Sequence, residues 1–174
     1  MSTKFSVALG DAETEINGDE ISVKGQKGEL KTRIPYPFIS VKKDGNDLLI
    51  ECKKDVDYQK AIAGALAAQV RNMVQGVREG YTAELELVYM HFPASMKVIG
   101  NKLVVENFVG ERKAREIIIP DGVKIQVHGT KIILEGIDKY KVGQAAGTIE
   151  KKVQIKNKDR RVFKDGVFIT RKPE

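Results

Sequence analysis

The sequence predicts an α+β protein made of two duplicated domains, each a small, mostly antiparallel sheet with one packed helix. Three observations predict this fold. A unit of roughly 80 residues recurs along the 174-residue chain. Each copy begins with short β-rich stretches separated by turn residues. Each copy then continues into a stretch in which apolar residues recur every three or four positions, which is typical of an amphipathic helix.

The repeat rests on a nearly constant offset between the two halves. Residues 18–23 (GDEISV) match residues 100–105 (GNKLVV), 82 positions later. Residues 45–51 (GNDLLIE) match residues 129–135 (GTKIILE), 84 positions later. The offset of 82 also matches three further pairs: Gly28-Glu29 with Gly110-Glu111, Lys31 with Lys113, and Arg33 with Arg115.

The predicted strands alternate with turn chemistry in the same order in each half. In the first half they are residues 16–24, 29–34, 39–43 and 48–53, and in the second half residues 97–106, 114–119, 124–128 and 131–135. The sequences Asp44-Gly45-Asn46 and His128-Gly129-Thr130 supply hairpin turns between the last two strands of each set.

A helix follows the strands in each half. In the first half, Ile62, Leu66, Val70 and Val74 form one apolar stripe and predict a helix over residues 57–77. In the second half, Val142, Ala146, Ile149 and Val153 form the matching stripe. A last strand is expected to close each unit, at residues 81–89 and 162–170.

The two domains are expected to span residues 1–88 and 89–174. Their boundary falls near Met90-His91-Phe92-Pro93, where the proline interrupts a continuing strand or helix.

Positive charge is concentrated at one end of the chain. Residues 151–172 carry nine basic and two acidic side chains, whereas the first 150 residues carry 21 of each. A solvated helix end also favours cations, but this excess is larger than capping requires. A polyanion is the natural partner of such a cluster, because each neutralised phosphate releases condensed counterions.

Other chemistry finds little support in the sequence. The single cysteine, Cys52, excludes an intramolecular disulfide and is expected to be a packed thiol. His91 and His128 lack partners at metal-ligand spacing, and Glu84 and Glu86 alternate with apolar residues as on the wet face of a strand. We therefore expect no enzyme, no metal and no cofactor.

The sequence also lacks the patterns of a nucleotide-binding loop, a membrane span and a secretory signal. Residues 143–148 lack the Gly-Lys-Ser/Thr ending of a nucleotide-binding loop. No apolar run approaches the ~20 residues of a membrane span, and the first residues lack the apolar region of a secretory signal. The protein is expected to be soluble and intracellular.

The basic segment carries a specific resemblance. The string Arg-Arg-Val-Phe-Lys-Asp-Gly at residues 160–166, the run from Gln154 to Ile169 around it, and His91-Phe92-Pro93 resemble the universal large-subunit ribosomal protein number six family. The resemblance covers nearly the whole chain and is to the archaeal and eukaryotic type. The Pro-Tyr-Lys-Gly-Lys-Gly string of the bacterial members is missing here.

The resemblance implies a structural, non-enzymatic protein of the cytoplasmic large ribosomal subunit. It implies two α+β domains bound to large-subunit rRNA near the stalk base and the sarcin–ricin loop. It also implies neighbouring ribosomal proteins as partners and translation GTPases by proximity, with no membrane and no DNA partner. The implied RNA-binding residues are Gln154, Lys156, Lys158, Arg160, Arg161, Lys164 and Lys172, with His91 at the hinge.

The end of the basic segment suggests roles for three further residues. Asp165 and Gly166 are expected to form a hairpin turn in which Asp165 bonds its own backbone. Two roles are open for Phe163: stacking on a base, or packing beneath the loop.

One rival class fits the charge alone. A basic cluster attracts any anion, so an anion-binding module for an acidic protein or a membrane surface is the alternative.

Overall fold

A computed structural model describes residues 4–53, 56–159 and 161–174 of the chain. The chain forms two compact units, Met1–Gly80 and Tyr81–Glu174.

The described residues of the first unit form six strands and one helix. In chain order they are β1 (Lys4–Ala8), β2 (Glu13–Asn17), β3 (Glu20–Gly25), β4 (Gly28–Arg33), β5 (Ile39–Asp44), β6 (Asp47–Cys52) and α1 (Asp57–Arg78). All described pairings are antiparallel. They give one three-stranded sheet in the order β1-β6-β5 and another in the order β2-β3-β4.

Helix α1 covers the core of the first unit. Its buried positions recur every three or four residues and include Ala63, Leu66, Val70 and Val77. Ile62, which the sequence placed on this stripe, packs only partly against the core. The thiol of Cys52 is buried, as predicted.

The second unit repeats this order and adds a strand. Its elements are β7 (Tyr81–Val88), β8 (Ser95–Ile99), β9 (Lys102–Glu106), a short 3-10 turn (Phe108–Gly110), β10 (Arg115–Ile118), β11 (Val123–His128), β12 (Lys131–Gly136), α2 (Lys139–Lys152) and β13 (Gly166–Arg171). One sheet has the order β11-β12-β7-β13 and the other has the order β10-β9-β8. The predicted α+β class is thus confirmed.

Turn geometry shows the duplication at the level of single residues. Gly18 and Gly100 join the second and third strands of their units with φ of 60° and 59°. Gly45 and Gly129 join the fifth and sixth strands with φ of 59° and 61°. Glycine adopts this left-handed conformation without a Cβ clash, so the two halves use it at the same turns.

The strand Tyr81–Val88 belongs to the second unit, whereas the sequence placed it at the end of the first. β7 pairs antiparallel with both β12 and β13. Its alternate residues are buried along its full length. The compact units therefore divide between Gly80 and Tyr81 and not after residue 88. The segment 89–94, expected at the boundary, connects β7 to β8 inside the second unit.

The register of the fourth strand also differs from the constant offset. Val23 pairs with Leu30, but its counterpart Val105 pairs with Arg115 and not with Arg112. The cause is the longer connection between β9 and β10, which contains the 3-10 turn. Arg33 and Arg115, matched by sequence alone, are therefore not structural counterparts.

Two terminal strands complete the comparison. β1, which sequence patterning did not identify, pairs with β6 along five residues. The last strand begins at Gly166, four residues later than predicted, and the preceding residues form an irregular connection.

Candidate nucleic-acid interface

The connection between α2 and β13, residues 153–165, is called the basic loop below. It leaves the carboxyl end of a helix whose last turn carries Lys151 and Lys152. A backbone bridge between Gln154 and Gly166 brings its two ends together. Val153 and Ile155 are buried and hold the start of the loop on the core of the second unit.

Arg115 fixes the start of the basic loop. One guanidinium nitrogen donates to the carbonyls of Lys152 at 2.9 Å and Gln154 at 3.0 Å. The same group lies over the ring of Phe108, 4.4 Å from its centroid, and is bound by the carboxylate of Glu111. The planar guanidinium can bind several acceptors in one plane, which an ammonium group cannot. Arg115 thus caps carbonyls that the end of α2 leaves open.

Asp165 fixes the end of the basic loop. Its side chain is only 1% exposed, and it accepts bonds from the backbone N–H groups of Met90 at 2.8 Å and His91 at 3.2 Å. The ring Nδ1 of His91 donates to the other carboxylate oxygen at 2.7 Å. An ionised carboxylate only accepts, so this nitrogen carries the proton.

The environment of Asp165 favours its charged form. Burial alone would raise the pKa of this carboxyl, but the bonds from Met90 and His91 outweigh burial and hold the pKa below its ordinary value. The expected turn in which Asp165 bonds its own backbone is wrong, because its partners lie 74 and 75 residues earlier in the chain.

A stack of side chains supports the middle of the basic loop. The ring of Phe163 lies 4.7 Å from that of His91 at an interplanar angle of 26°. The ammonium group of Lys158 lies 4.6 Å from the Phe163 ring centroid. Phe163 is partly buried and packs against the core, so of the two roles left open by the sequence it has the packing one here.

A tight turn forms the tip of the basic loop. Asn157 has φ of 59°, and the carbonyl of Asp159 accepts from the N–H groups of Val162 and Phe163. The Asp159 carboxylate binds the guanidinium of Arg161 at 3.0 Å. That contact, together with a bond from the Arg161 N–H, lowers the pKa of Asp159. The side chain of Arg161 is nevertheless 90% exposed.

The predicted site residues divide into three groups. Lys156, Lys164 and Lys172 are exposed and form no ion pair within the described ranges. His91, Lys158 and Arg161 have the contacts given above, and Gln154 is half-buried at the foot of the loop. Arg160 lies outside the described residues. The structure thus collects most of the predicted set on or beside one loop, with Lys172 just beyond β13.

Sequence reasoning missed Arg115 and the anchoring role of Asp165. Arg115 lies on a strand 37 residues before the first carbonyl that it binds, and nothing in the local pattern points to that contact. Lys151 and Lys152, both exposed, belonged to the predicted basic segment but were not named as binding residues.

The described residues offer little for other chemistry. In residues 4–53, 56–159 and 161–174 no cluster of His, Cys, Asp or Glu has the arrangement of a metal site. Glu84 and Glu86 lie on β7, where the Glu84 carboxylate is 3.8 Å from Arg171. None of the described helices is both long and apolar enough to cross a membrane.

Comparison with known proteins finds one family along most of the chain. A family model described as "Ribosomal protein L6" matches residues 11–80 and 92–166. The chain is 42% identical over 158 residues to the large ribosomal subunit protein uL6 of Methanocella arvoryzae, covering 90% of this chain and 89% of the relative. It is 39% identical over 155 residues to uL6 of Aeropyrum pernix, covering 88% and 85%. It is 36% identical over 160 residues to uL6 of Methanothrix thermoacetophila, covering 92% and 91%.

Proposed function

Because the chain belongs to the ribosomal protein L6 family, we propose that it is a structural component of the large ribosomal subunit and binds large-subunit rRNA through the basic loop. It acts by binding and not by catalysis, as befits a structural, non-enzymatic family. Its place of action is the large subunit in the cytoplasm.

One observation carries the proposal. Among the described residues, the basic loop holds two exposed lysines without an ion pair, Lys156 and Lys164, on a backbone that is anchored at both ends, by Arg115 and by Asp165. Such an arrangement suits phosphate binding, because the anchored backbone already holds the cations near one another and less backbone entropy is lost on contact. Double-helical RNA hides its base edges in a deep groove, so the fixed shape of the loop supplies most of the selectivity.

The family resemblance supports a finer location. It favours rRNA near the stalk base and the sarcin–ricin loop, beside neighbouring ribosomal proteins. Translation GTPases would then act close to this protein without binding to it in a lasting way.

A matched pair of charge reversals tests the role of the basic loop. Lys156→Glu with Lys164→Glu removes two unpaired cations from the loop. Lys124→Glu with Lys131→Glu makes the same charge change on the β11–β12 hairpin, where both lysines are also exposed. We expect the loop pair to weaken binding to large-subunit rRNA at least tenfold and to reduce the salt slope by about 2, since each lost phosphate contact removes about 1.

The control pair should change the affinity by less than about threefold, because a net charge change alone acts only at long range. Equal losses from both pairs would contradict the assignment of the loop. Circular dichroism of all variants checks that the fold is retained.

A further inference from the structure

β13 occupies a defined position in the second unit, between the edge of β7 and helix α2. It pairs antiparallel with β7. On its other side, the N–H of Val167 donates to the carbonyl of Val153 at 3.2 Å, and the N–H of Ile169 donates to the carboxylate of Glu150 at 3.2 Å.

The first unit has the same framework without this strand. β1 pairs with β6 as β7 pairs with β12, and α1 follows β6 as α2 follows β12. In the described ranges, however, no strand pairs with the outer edge of β1.

The registers identify which groups of β1 are open. Val7 pairs with Leu48 and Leu85 pairs with Ile132, and these two pairs occupy equivalent positions. Ser6 and Ala8 are thus the counterparts of Glu84 and Glu86, and Glu86 pairs with Phe168 of β13.

A hydrogen bond of Leu9 shows in which direction the backbone groups of Ser6 and Ala8 point. The N–H of Leu9 donates to the carbonyl of Asn46 at 2.9 Å, on the β6 side. Because antiparallel strands alternate the direction of their backbone groups, Ser6 and Ala8 direct theirs away from β6.

The facing surface of α1 is uncovered where that of α2 is covered. Gly143, Gly147 and Glu150 are partly buried in α2, and a Cβ at Gly143 would lie 3.7 Å from Cγ of Pro173, just beyond β13. The buried positions of the two helices coincide at an offset of 79, which matches Val142, Ala146 and Ile149 with Ala63, Ala67 and Val70. The counterparts of the covered residues are therefore Gly64, Ala68 and Arg71, and of these Ala68 and Arg71 are exposed.

The floor of this position shows the same difference. Ala83 of β7 is completely buried. Its counterpart in β1 is Phe5, which is only partly buried, and a Cβ at Gly64 of α1 would lie 3.5 Å from the Phe5 ring. An apolar ring therefore lies at the place where a fourth strand would cover it.

We propose that the outer edge of β1, with the Gly64–Ala68–Arg71 face of α1, binds one extended segment of a neighbouring protein as an added antiparallel strand. The backbone groups of Ser6 and Ala8 pair with the segment, and its small apolar side chains lie against Ala68 and Phe5. β13 is the template for this mode of binding, in which an extended peptide adds a strand to an open edge.

The charge of the first unit favours a polypeptide over RNA. Residues 1–80 carry 12 basic and 12 acidic side chains, so they lack the excess that draws a polyanion. An open strand edge presents alternating donors and acceptors that match a peptide backbone.

A tethered strand tests whether the position accepts a segment. A copy of residues 165–173 is joined through a short Gly-Ser linker to the amino end of the full chain, which gives it an effective concentration in the millimolar range. We expect amide exchange of Ser6 and Ala8 to slow at least tenfold.

The control carries prolines in place of the copies of Gly166 and Phe168, whose amides face the neighbouring strand, and it should leave the exchange unchanged. Equal exchange in the two chains would overturn the proposal.

A second experiment identifies the natural occupant and rests on the proposed function, because it uses assembled large subunits. A photoreactive residue at position 6 should form an adduct with a contiguous segment of another protein. Ala68→Glu, an exposed change that obstructs the position, should abolish that adduct.

An adduct with RNA or with a second copy of this chain alone, or no adduct, would overturn the proposal. The tethered-strand result does not depend on RNA binding, so failure of the proposed function would leave it unaffected.

Discussion

Asp165 is the residue on which the shape of the basic loop depends most. It is a buried carboxylate that satisfies three donors, two from the backbone and one from the His91 ring. Its partners lie in the connection between β7 and β8, so it fastens the end of the loop to a distant part of the same unit. Hydrogen bonds to an ionised acceptor are among the stronger ones in proteins.

Replacing this carboxylate should destabilise the second unit. Asp165→Ala leaves the N–H groups of Met90 and His91 without their acceptor, at a cost of about 1–3 kcal/mol in the free energy of unfolding. A urea titration followed by NMR resonances of the second unit measures this loss. Glu135→Ala, on an exposed position of β12, is the matched control and should change the free energy by less than about 0.5 kcal/mol. Similar values for the two variants would contradict the anchoring role.

The same carboxylate should make the second unit sensitive to acid. Its pKa is lower in the folded state than the ordinary value of 3.8, so its ionised form stabilises the fold. This contribution is fully present above the unfolded-state pKa and is lost as the pH falls through the folded-state pKa.

The difference in unfolding free energy between the wild type and Asp165→Asn should therefore shrink as the pH falls below about 4. Urea titrations at a series of pH values measure it. A difference that stays constant down to pH 2 would contradict this account.

At the scale of elements, close contacts between strands and helices set where glycine is required. Gly25, at the end of β3, lies against α1, and a Cβ there would approach Cγ2 of Val77 to 2.7 Å and its carbonyl to 2.8 Å. By contrast, a Cβ at Gly147, inside α2, would meet no heavy atom within 4 Å.

Alanine at these two glycines should have opposite effects. Gly25→Ala must move the backbone of α1 and should destabilise the first unit by about 1–3 kcal/mol. Gly147→Ala gains helix propensity and should stabilise the second unit by about 0.5–1 kcal/mol. Thermal unfolding of both variants tests this, and a stable Gly25→Ala variant would show that β3 and α1 are less closely packed than described.

The sequence predicted most elements because their signals are local. Apolar periodicity identified α1 and α2, and the turn residues around Gly45 and Gly129 located two hairpins. The errors concern contacts between distant residues. β7 reads as a strand from its alternation alone, but only its pairing with β12 shows that it belongs to the second unit.

In the candidate site, too, local features could be predicted and contacts between distant residues could not. Composition located the basic segment, since charge needs no knowledge of the fold. The contacts of Arg115 and Asp165 with backbone 37 to 75 residues away in the chain could not be found in this way.

At the scale of the whole molecule, charge divides the chain into two regions. Residues 151–172 carry a net charge of +7, while the first 150 residues are neutral. Such a distribution raises the rate of encounter with a polyanion and orients the chain toward it, and both effects weaken as salt is added. The family belongs to the large ribosomal subunit, and rRNA is the polyanion of that subunit.

The most direct test of the account is the affinity of the purified protein for deproteinised large-subunit rRNA, titrated against salt with bulk tRNA as competitor. If the basic loop and its flanking lysines neutralise about five phosphates, log affinity should fall against log salt with a slope of roughly −3 to −5. We expect tight binding with this slope that survives the competitor. Weak binding that tRNA displaces completely would contradict a specific rRNA site and leave only a general affinity for anions.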